Sequence, residues 1–250
     1  MIVRAIVLSL LVTTSAGLAS AAASPATLDN IANAVADPSR PKEDRALDAD
    51  RKPALVLAYA GIGTGQIIGE YLPGGGYYTR MLSDIVGPSG KVYALETTTW
   101  GQEGIDATKH VLSEPGHGNV SLDLAPLGTF HLPEKVDVFW TTNNYHDLHI
   151  PKYAVVDMSV FNKLVFDSLK PGGTYFIVDH AAAPGTGATL SPKLHRIDEA
   201  TVISEVTAAG FRLVGESDVL RNPKDDRTKS IFDAGVHFKA DQFILKFQKP

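Results

Sequence analysis

The chain contains no cysteine among its 250 residues. This absence excludes disulfide scaffolds, thiolate metal sites, thiol nucleophiles and a lipid-modified cysteine near the N-terminus. Any covalent or metal chemistry must therefore use the side chains of His, Asp, Glu, Ser, Lys or Tyr.

An excess of basic residues is also missing. Asp and Glu number 28 and Lys and Arg number 23, so the formal net charge is −5 at pH 7. We therefore expect no basic face of the kind that binds nucleic acid, and predict a small molecule as the partner. Hydrophobic residues make up 44% of the chain and charged residues 20%, which is typical of a globular protein with a sizeable core.

Long apolar runs are scarce, and the clearest short one stands at the N-terminus. Met1–Arg4 carries one positive charge, Ala5–Val12 is largely apolar, and small residues follow from 16 to 24. This order is typical of a secretory signal peptide. We predict that residues 1–23 are cleaved and that residues 24–250 form a single domain, periplasmic or secreted. No later run reaches the roughly 18 apolar residues that cross a bilayer, so we expect no membrane association after cleavage.

From Gln66 onward, short apolar segments alternate with segments of helix length. This alternation predicts a parallel sheet that is covered by helices on both faces. We expect an α/β fold with a doubly wound, mostly parallel seven-stranded sheet and an antiparallel terminal strand. The predicted strands are Ile67–Leu72, Lys91–Leu95, Val120–Leu124, Val136–Thr141, Thr174–Val178, Arg212–Val219 and Gln242–Phe247.

Two helices are predicted before the sheet. Thr27–Ala36 has apolar residues at helical spacing and is followed by Pro38, which ends the helix. A second, more apolar helix begins at Pro53 and ends near Gly61. We expect these N-terminal helices to lie across the functional site.

A glycine turn joins the first predicted strand to a helix. Ile67–Leu72 runs into Pro73-Gly74-Gly75-Gly76, and a helix follows from Tyr77. Glu96 ends the next strand twenty positions after Gly76, where a carboxylate can accept hydrogen bonds from both hydroxyls of a ribose. The spacing predicts a nucleoside site, and a plain strand-to-helix turn is the alternative.

Three clusters of polar residues stand near predicted strand ends. The first follows Val136–Thr141, the second follows Thr174–Val178, and the third precedes a helix that begins at Glu199. Ligands bind beyond the carboxyl ends of the strands in an open parallel sheet, so these clusters are candidates for a site. Their members include His146, Asp147, His149, Asp179, His180, His195, Arg196 and Asp198.

These segments resemble the class I S-adenosylmethionine-dependent methyltransferases. The resemblance is closer to a predicted exported branch whose glycine loop reads Glu-x-x-Pro-Gly-Gly-Gly-aromatic-Tyr-Thr, and it covers roughly Arg45 to the C-terminus. Leu72 departs from the pattern, because it stands where the usual loop has its first glycine. The matching segments are Glu70 with Pro73–Thr79, Val86–Ala94, Asn144–His149, Leu169–Gly173, Val178–His180 and His195–Asp198.

The resemblance implies a Rossmann-like methyltransferase fold and S-adenosyl-L-methionine as the cofactor. It places Glu70 under the methionine end of the cofactor, the glycines against its sugar and Glu96 on the ribose hydroxyls. The residues predicted to bind the cofactor are Glu70, Gly74, Gly75, Gly76, Tyr78 and Glu96.

Methyl transfer sets two demands on the second part of the site. The acceptor must be aligned with the sulfonium methyl group, and a hydroxyl or amine acceptor must also lose a proton. Histidine titrates near neutral pH and suits this task. We predict His146 first and His180 second as the base, with Asp147 or Asp179 orienting the ring. Arg196 is predicted to hold an anionic group of the substrate.

The sequence is also compatible with two other functions. S-adenosylmethionine is made in the cytoplasm, which favours an exported, non-catalytic relative that binds a nucleoside or another small molecule. A metal-assisted hydrolase is the other alternative, with His146, His149, Asp179, His180 and His195 as possible ligands. The favoured interpretation assigns no metal ligand, because the helical His-Glu-x-x-His pattern is missing. Single His or Asp residues can also cap helices or hold loops.

Overall fold

A computed structural model describes residues 25–250; the predicted signal peptide, 1–23, lies outside the described residues. The strands are β1 (Ile67–Tyr71), β2 (Lys91–Thr97), β3 (Val120–Ala125), β4 (Val136–Thr142), β5 (Leu169–His180), β6 (Arg212–Ser217) and β7 (Gln242–Gln248). The helices are α1 (Pro25–Ala36), α2 (Lys42–Ala46), α3 (Asp48–Arg51), α4 (Pro53–Ala60), α5 (Tyr77–Val86), α6 (Gln102–Ser113), α7 (Met158–Ser168), α8 (Ser191–Leu194) and α9 (Glu199–Ala208). A single 3-10 turn, His146–His149, follows β4.

The strands form one seven-stranded sheet in the order β3-β2-β1-β4-β5-β7-β6. Strands β1 to β5 pair in parallel, and β7 is antiparallel to both β5 and β6. The predicted fold class, with its mostly parallel sheet and antiparallel last strand, is therefore confirmed. From β1 the chain continues to β2 on one side, and from β4 it continues to β5 on the other. A crevice opens where the connections diverge, beyond the carboxyl ends of β1 and β4.

Strand β5 begins earlier than predicted. β4 pairs first with Leu169 and then with Thr174, so residues 170–173 bulge out of the ladder. Gly172 has a φ of 75°, and a Cβ atom at Gly173 would lie 2.8 Å from the Lys170 carbonyl oxygen. Pro171, Gly172 and Gly173 therefore form a bulge inside β5. The sequence pattern had indicated a turn before the strand at these residues.

Both faces of the sheet are apolar and covered. Phe139 packs in the core beneath α7 and α9, while its neighbour Trp140 packs in the core beneath α1, α4 and α5. Both side chains are completely buried. Successive residues of a strand point to opposite faces, so an almost continuous apolar run is needed where helices cover both sides. Within residues 25–250, every helix is too short or too polar to span a bilayer.

Two short helices, α2 and α3, lie in the charged segment between the two predicted N-terminal helices. Arg40 is buried and donates to both carboxylate oxygens of Asp48, at 2.8 and 2.9 Å. The Tyr77 hydroxyl also donates to Asp48, at 2.7 Å. These contacts attach α3 to the beginning of α5, which directly follows the glycine turn. The α2–α3 segment therefore borders the crevice. The two predicted helices, α1 and α4, pack instead on one face of the sheet, so the expectation that they lie across the functional site is wrong.

Candidate active site

Two adjoining cavities lie beyond the carboxyl ends of the parallel strands. The glycine-loop cavity has a volume of about 270 Å³ and is lined by residues that include Glu70, Gly74, Gly75 and Asn144. The histidine cavity has a volume of about 680 Å³. Its polar lining residues include His146, Asp147, His180 and His195. The residues that line both cavities are Arg51, Tyr78, Thr142 and Asn143.

The three glycines of the turn have different physical roles. Gly76 precedes α5 with a φ of 80°, and a Cβ atom there would clash with the Val111 side chain. Gly74 has a φ of 59°, which favours glycine. Gly75 does not have a positive φ. An added Cβ atom at this position would also meet nothing within 4 Å. Its open surroundings leave room for a ligand to approach the backbone.

Leu72, the departure from the usual glycine pattern, adopts a glycine-like backbone. Its φ is 55°, in the left-handed region that costs a non-glycine residue roughly 1–2 kcal/mol. The Leu72 amide donates to the Leu95 carbonyl at 2.9 Å, and its carbonyl accepts from Asn144 Nδ2 at 2.9 Å. The side chain packs in the core beneath α7 and α9. The chain thus keeps the path of the turn although the glycine is absent.

Glu70 is a buried carboxyl group on the wall of the glycine-loop cavity. Its side chain is only 3% exposed, and Oε2 has no hydrogen-bond partner among the described residues. Burial raises the pKa of Glu70 to about 7, and the nearby Glu96 carboxylate adds to this increase. A buried carboxyl with a free oxygen beside a cavity is suited to a cationic group of a ligand.

Glu96 lies within strand β2 as predicted, but helix α6 covers it. Oε1 accepts from the Thr97 amide at 2.9 Å, and an added Cβ atom at Gly104 would lie 3.1 Å from Oε2. Oε2 has no hydrogen-bond partner in residues 25–250. Glu96 lines neither of the two cavities. A contact between Glu96 and a ribose therefore stays a prediction.

Tyr78 and Arg51 form the wall that the two cavities share. The Tyr78 ring is buried, with its centroid 5.0 Å from that of Trp140, so it belongs to both the core and the predicted site. The Arg51 guanidinium lies 4.4 Å from the centroid of the Tyr77 ring. Arg51 was not among the predicted site residues, because it stands in a charged segment that is typical of a solvated surface.

Asp179 holds the His146 ring. It is one of the two carboxylates, Asp147 or Asp179, that were predicted to orient this histidine. His146 Nδ1 lies 2.6 Å from Asp179 Oδ1, and the His146 amide donates to Oδ2 at 2.8 Å. The His180 amide donates to Oδ1 at 2.7 Å. Asp179 is completely buried. The carboxylate therefore holds the His146 ring with Nδ1 as the donor and Nε2 directed elsewhere.

Asp147 and His195 meet the other side of the His146 ring. His146 Nε2 lies 3.3 Å from Asp147 Oδ1 and 3.3 Å from His195 Nδ1. Burial lowers the pKa of His146, but the carboxylates of Asp179 and Asp147 outweigh it and raise the pKa to about 10. Both ring nitrogens face these neighbours, so neither is free to accept a proton from a substrate. His146 therefore does not fit the predicted role of first base, which needs a free ring nitrogen and a pKa near neutral pH.

Within residues 25–250, His180 has an unpartnered ring nitrogen, which His146 lacks, but it does not titrate near neutral pH as the predicted base would. Its ring lines the histidine cavity, and Nδ1 has no hydrogen-bond partner among the described residues. Burial lowers the pKa of His180 well below its usual range. The second predicted base is therefore neutral at pH 7.

Arg196 and His149 lie outside both cavities. Arg196 is completely buried and forms an ion pair with Asp225 at 2.8 Å. Its Nε donates to the Lys229 carbonyl at 2.9 Å. The predicted contact with a substrate anion is thus wrong, because the guanidinium is committed to the 225–229 loop. His149 Nε2 lies 3.2 Å from Glu205 Oε2, away from the histidine cluster.

The irregular segment between β6 and β7 contributes to the site, although its sequence did not predict this role. It carries aromatic and apolar side chains against the histidine cavity, although Phe232 is 60% exposed and Phe238 46%. Aromatic residues within an otherwise polar segment were the signal that the sequence offered. The lining residues from this segment are Leu220, Ile231, Phe232, His237 and Phe238.

Solved structures match the chain, whereas no protein-family model and no curated protein sequence does. A SAM-dependent methyltransferase from Aquifex aeolicus matches with a TM-score of 0.58 and 21% identity, over 89% of this chain and 98% of that chain. The glycopeptide N-methyltransferase MtfA, complexed with S-adenosyl-L-homocysteine, has a TM-score of 0.54 and 14% identity over 82% and 87%. The chain has the class I methyltransferase fold.

This methyltransferase fold also occurs in a protein named for another reaction. The cyclase SpnF matches the chain with a TM-score of 0.58 and 16% identity, over 81% of this chain and 82% of that one. Fold alone therefore leaves the reaction open. The chemistry must be inferred from the side chains of the two cavities.

Proposed function

We propose that the protein binds S-adenosyl-L-methionine in the glycine-loop cavity and transfers its methyl group to a small molecule in the histidine cavity. The observation that carries this proposal is the pair of cavities that share the Tyr78 wall at the topological switch point of a methyltransferase fold. One cavity offers a buried carboxyl and an open glycine backbone. The other offers a histidine with a free nitrogen.

The residues of the glycine-loop cavity fit the charges of this cofactor. Oε2 of Glu70 is buried without a partner among the described residues and is suited to a cationic group. The Arg51 guanidinium on the same cavity is suited to a carboxylate. Gly75 leaves space beside the backbone. When bound, S-adenosylmethionine supplies an electrophilic methyl group on its sulfonium.

The histidine cavity would hold the acceptor. We assign proton removal to His180, because its ring lines the cavity and its Nδ1 is free of partners within residues 25–250. Asp179 holds the His180 amide and fixes this wall. Trp100 and Tyr153, whose ring centroids are 5.3 Å apart, form an aromatic part of the lining. These rings would exclude water from the acceptor and favour one with an apolar portion.

Calorimetry with a matched pair of glycine variants tests the proposal. Gly75 and Gly118 both have ordinary φ values and open space at the Cβ position, but only Gly75 lies on the glycine-loop cavity. We expect residues 24–250 to bind one equivalent of S-adenosylmethionine. Gly75→Ala should weaken binding by about tenfold or more, because the methyl group fills space beside the ligand, and Gly118→Ala should bind like the native chain.

Three results would overturn the proposal. The first is no binding of S-adenosylmethionine or S-adenosylhomocysteine by the native chain. The second is binding of another nucleoside alone, which would support the non-catalytic alternative. Equal affinities in both alanine variants would place the ligand away from the glycine turn and reject the proposed cofactor cavity.

A further inference from the structure

We propose that His146, Asp147 and His195 bind a zinc ion in the wall of the histidine cavity. The three atoms that face one another are His146 Nε2, Asp147 Oδ1 and His195 Nδ1. Each pair of these atoms is 3.3 Å apart. They form an equilateral triangle of two imidazole nitrogens and one carboxylate oxygen, which are donor atoms that zinc prefers.

The size of the triangle favours zinc in a tetrahedral site. Zinc bonds to nitrogen and oxygen are about 2.0–2.1 Å long, and a tetrahedron with such bonds has ligand atoms about 3.3–3.4 Å apart. Octahedral coordination with bonds of about 2.1 Å places neighbouring ligand atoms only about 3.0 Å apart. The distances of 3.3 Å between the three atoms match the tetrahedral case.

A buried carboxylate behind His146 supplies a second observation. Histidine ligands of metals commonly donate their other ring N–H to a carboxylate, which fixes the ring and raises its basicity. Asp179 Oδ1 lies 2.6 Å from His146 Nδ1, and two backbone amides, those of His146 and His180, hold the same carboxylate. Asp179 therefore keeps Nε2 of His146 directed at the triangle.

The backbone at His195 is strained in a way that serves the same geometry. His195 has a φ of 53°, an unfavourable conformation for a residue with a side chain. Strain of this kind is concentrated at functional sites. Here it directs Nδ1 toward Asp147 Oδ1. A residue that only capped α8 would be better served by glycine or asparagine.

Charge and access also favour a divalent cation. Asp147 and Asp179 bring two carboxylates into a largely buried cluster, and a divalent ion would balance both charges. All three ligand residues line the histidine cavity. The fourth tetrahedral position is therefore available to water or to a donor atom of the molecule in that cavity, as in catalytic zinc sites. The zinc site does not depend on the proposed methyl transfer.

Metal titration in the absence of S-adenosylmethionine tests the site. Residues 24–250, freed of metal with a chelator, should bind one equivalent of zinc by calorimetry. Asp147→Asn and His195→Asn should each weaken zinc binding by about 100-fold or more; asparagine suits the left-handed backbone at His195. Asp179→Asn should weaken it by about 10- to 100-fold. His237→Asn is the control, because His237 lines the same cavity outside the triangle, and it should bind zinc like the native chain.

Cobalt provides a readout of geometry, and thermal unfolding of the metal-free variants verifies that each one folds. Bound cobalt should give the intense visible absorption of a tetrahedral site in the native chain and in His237→Asn, and lose it in His195→Asn. Failure of the native chain to bind one equivalent of zinc would overturn the proposal. Native-like zinc affinity in both Asp147→Asn and His195→Asn, or a weak octahedral cobalt spectrum, would overturn it as well.

Discussion

At the scale of single residues, burial decides which groups are chemically available. Glu70 and His180 are both buried beside a cavity, and each has a polar atom without a hydrogen-bond partner among the described residues. His146 is equally buried, but carboxylates contact both of its ring nitrogens. In the sequence, His146 and His180 cannot be distinguished, because both are histidines near the end of a strand. Only the neighbours of each one determine whether it is a free base, a charged partner or a ligand.

Glu70 should make the stability of the protein depend on pH. Its pKa rises from an ordinary value of 4.5 to about 7 on folding, so the folded state binds the proton more tightly than the unfolded state. The stability from Glu70 is therefore fully present below pH 4.5 and is lost as the pH rises through 7. Glu70→Gln removes this dependence. We expect the difference in unfolding free energy between the variant and the native chain to shift by about 2–3 kcal/mol between pH 5 and pH 8, in favour of the variant at high pH.

Urea unfolding at several pH values measures this difference. Glu43→Gln removes an exposed carboxyl and is the control, which should follow the native profile. Parallel profiles for the native chain and Glu70→Gln would contradict the prediction, because they would mean that Glu70 has the same pKa in both states.

At the scale of elements, the loops after the strands build the site, and their anchors are ordinary ion pairs. Arg40 and Tyr77 hold α3 through Asp48. Arg196 and Asp225 hold the segment between β6 and β7. Tyr77 lines the glycine-loop cavity, whereas Arg40, Asp48, Arg196 and Asp225 line neither cavity. Each contact positions a segment that contributes lining residues.

Arg196→Met should destabilise the protein without changing the cofactor cavity. The substitution leaves the Asp225 carboxylate, whose side chain is only 4% exposed, without its cation. Loss of one partner of such a buried pair typically costs about 3–5 kcal/mol. Chemical unfolding should detect this loss, and limited proteolysis should cleave 221–240 faster than in the native chain.

The exposed Arg212 supplies the matched control, because Arg212→Met should change the stability by less than about 0.5 kcal/mol. Binding of S-adenosylmethionine should stay within about threefold in both variants. An Arg196→Met protein of native stability would restore the original prediction that the guanidinium is free to hold a substrate anion.

At the scale of the whole molecule, strand order brings the separate signals together. β1 and β4 are neighbours in the sheet although about seventy residues separate them in the chain. The glycine turn follows one, and the His146–His149 turn follows the other. β5 pairs with β4 on the far side and brings Asp179 and His180 to the same edge. The crevice is therefore a product of topology.

Export is the prediction that concerns the whole chain. Expressed with its own N-terminus in a Gram-negative host, the protein should accumulate in the periplasm and begin between Ala22 and Ser24, because small-x-small residues precede these positions. Intact-mass measurement of the periplasmic fraction gives the first residue. Leu10→Arg together with Leu11→Arg, which interrupts the apolar run, should keep the full-length chain in the cytoplasm. A native protein that retains Met1–Arg4 would contradict the prediction.

Much of the fold was predictable because its signals are local. All seven predicted strands exist, with shifts at their ends, and α4 lies between Pro53 and Gly61 as expected. The boundaries of β5 were missed because a bulge of Pro and Gly residues inside a strand has the same composition as a turn before one. The helices α2 and α3 were missed because they are short and carry no buried side chain.

The sequence by itself determined the sheet, the glycine turn and the set of polar residues at the strand ends. These features follow from apolar periodicity and from the special backbone of glycine, which act over a few residues. The tertiary structure decided what the polar residues do. His146 and His195 are 49 positions apart in the chain, yet they meet on one carboxylate, whereas Arg196, next to His195, points into a buried ion pair. Contacts between distant segments, and the burial that accompanies them, set pKa values and ligand geometry, and no local pattern encodes them.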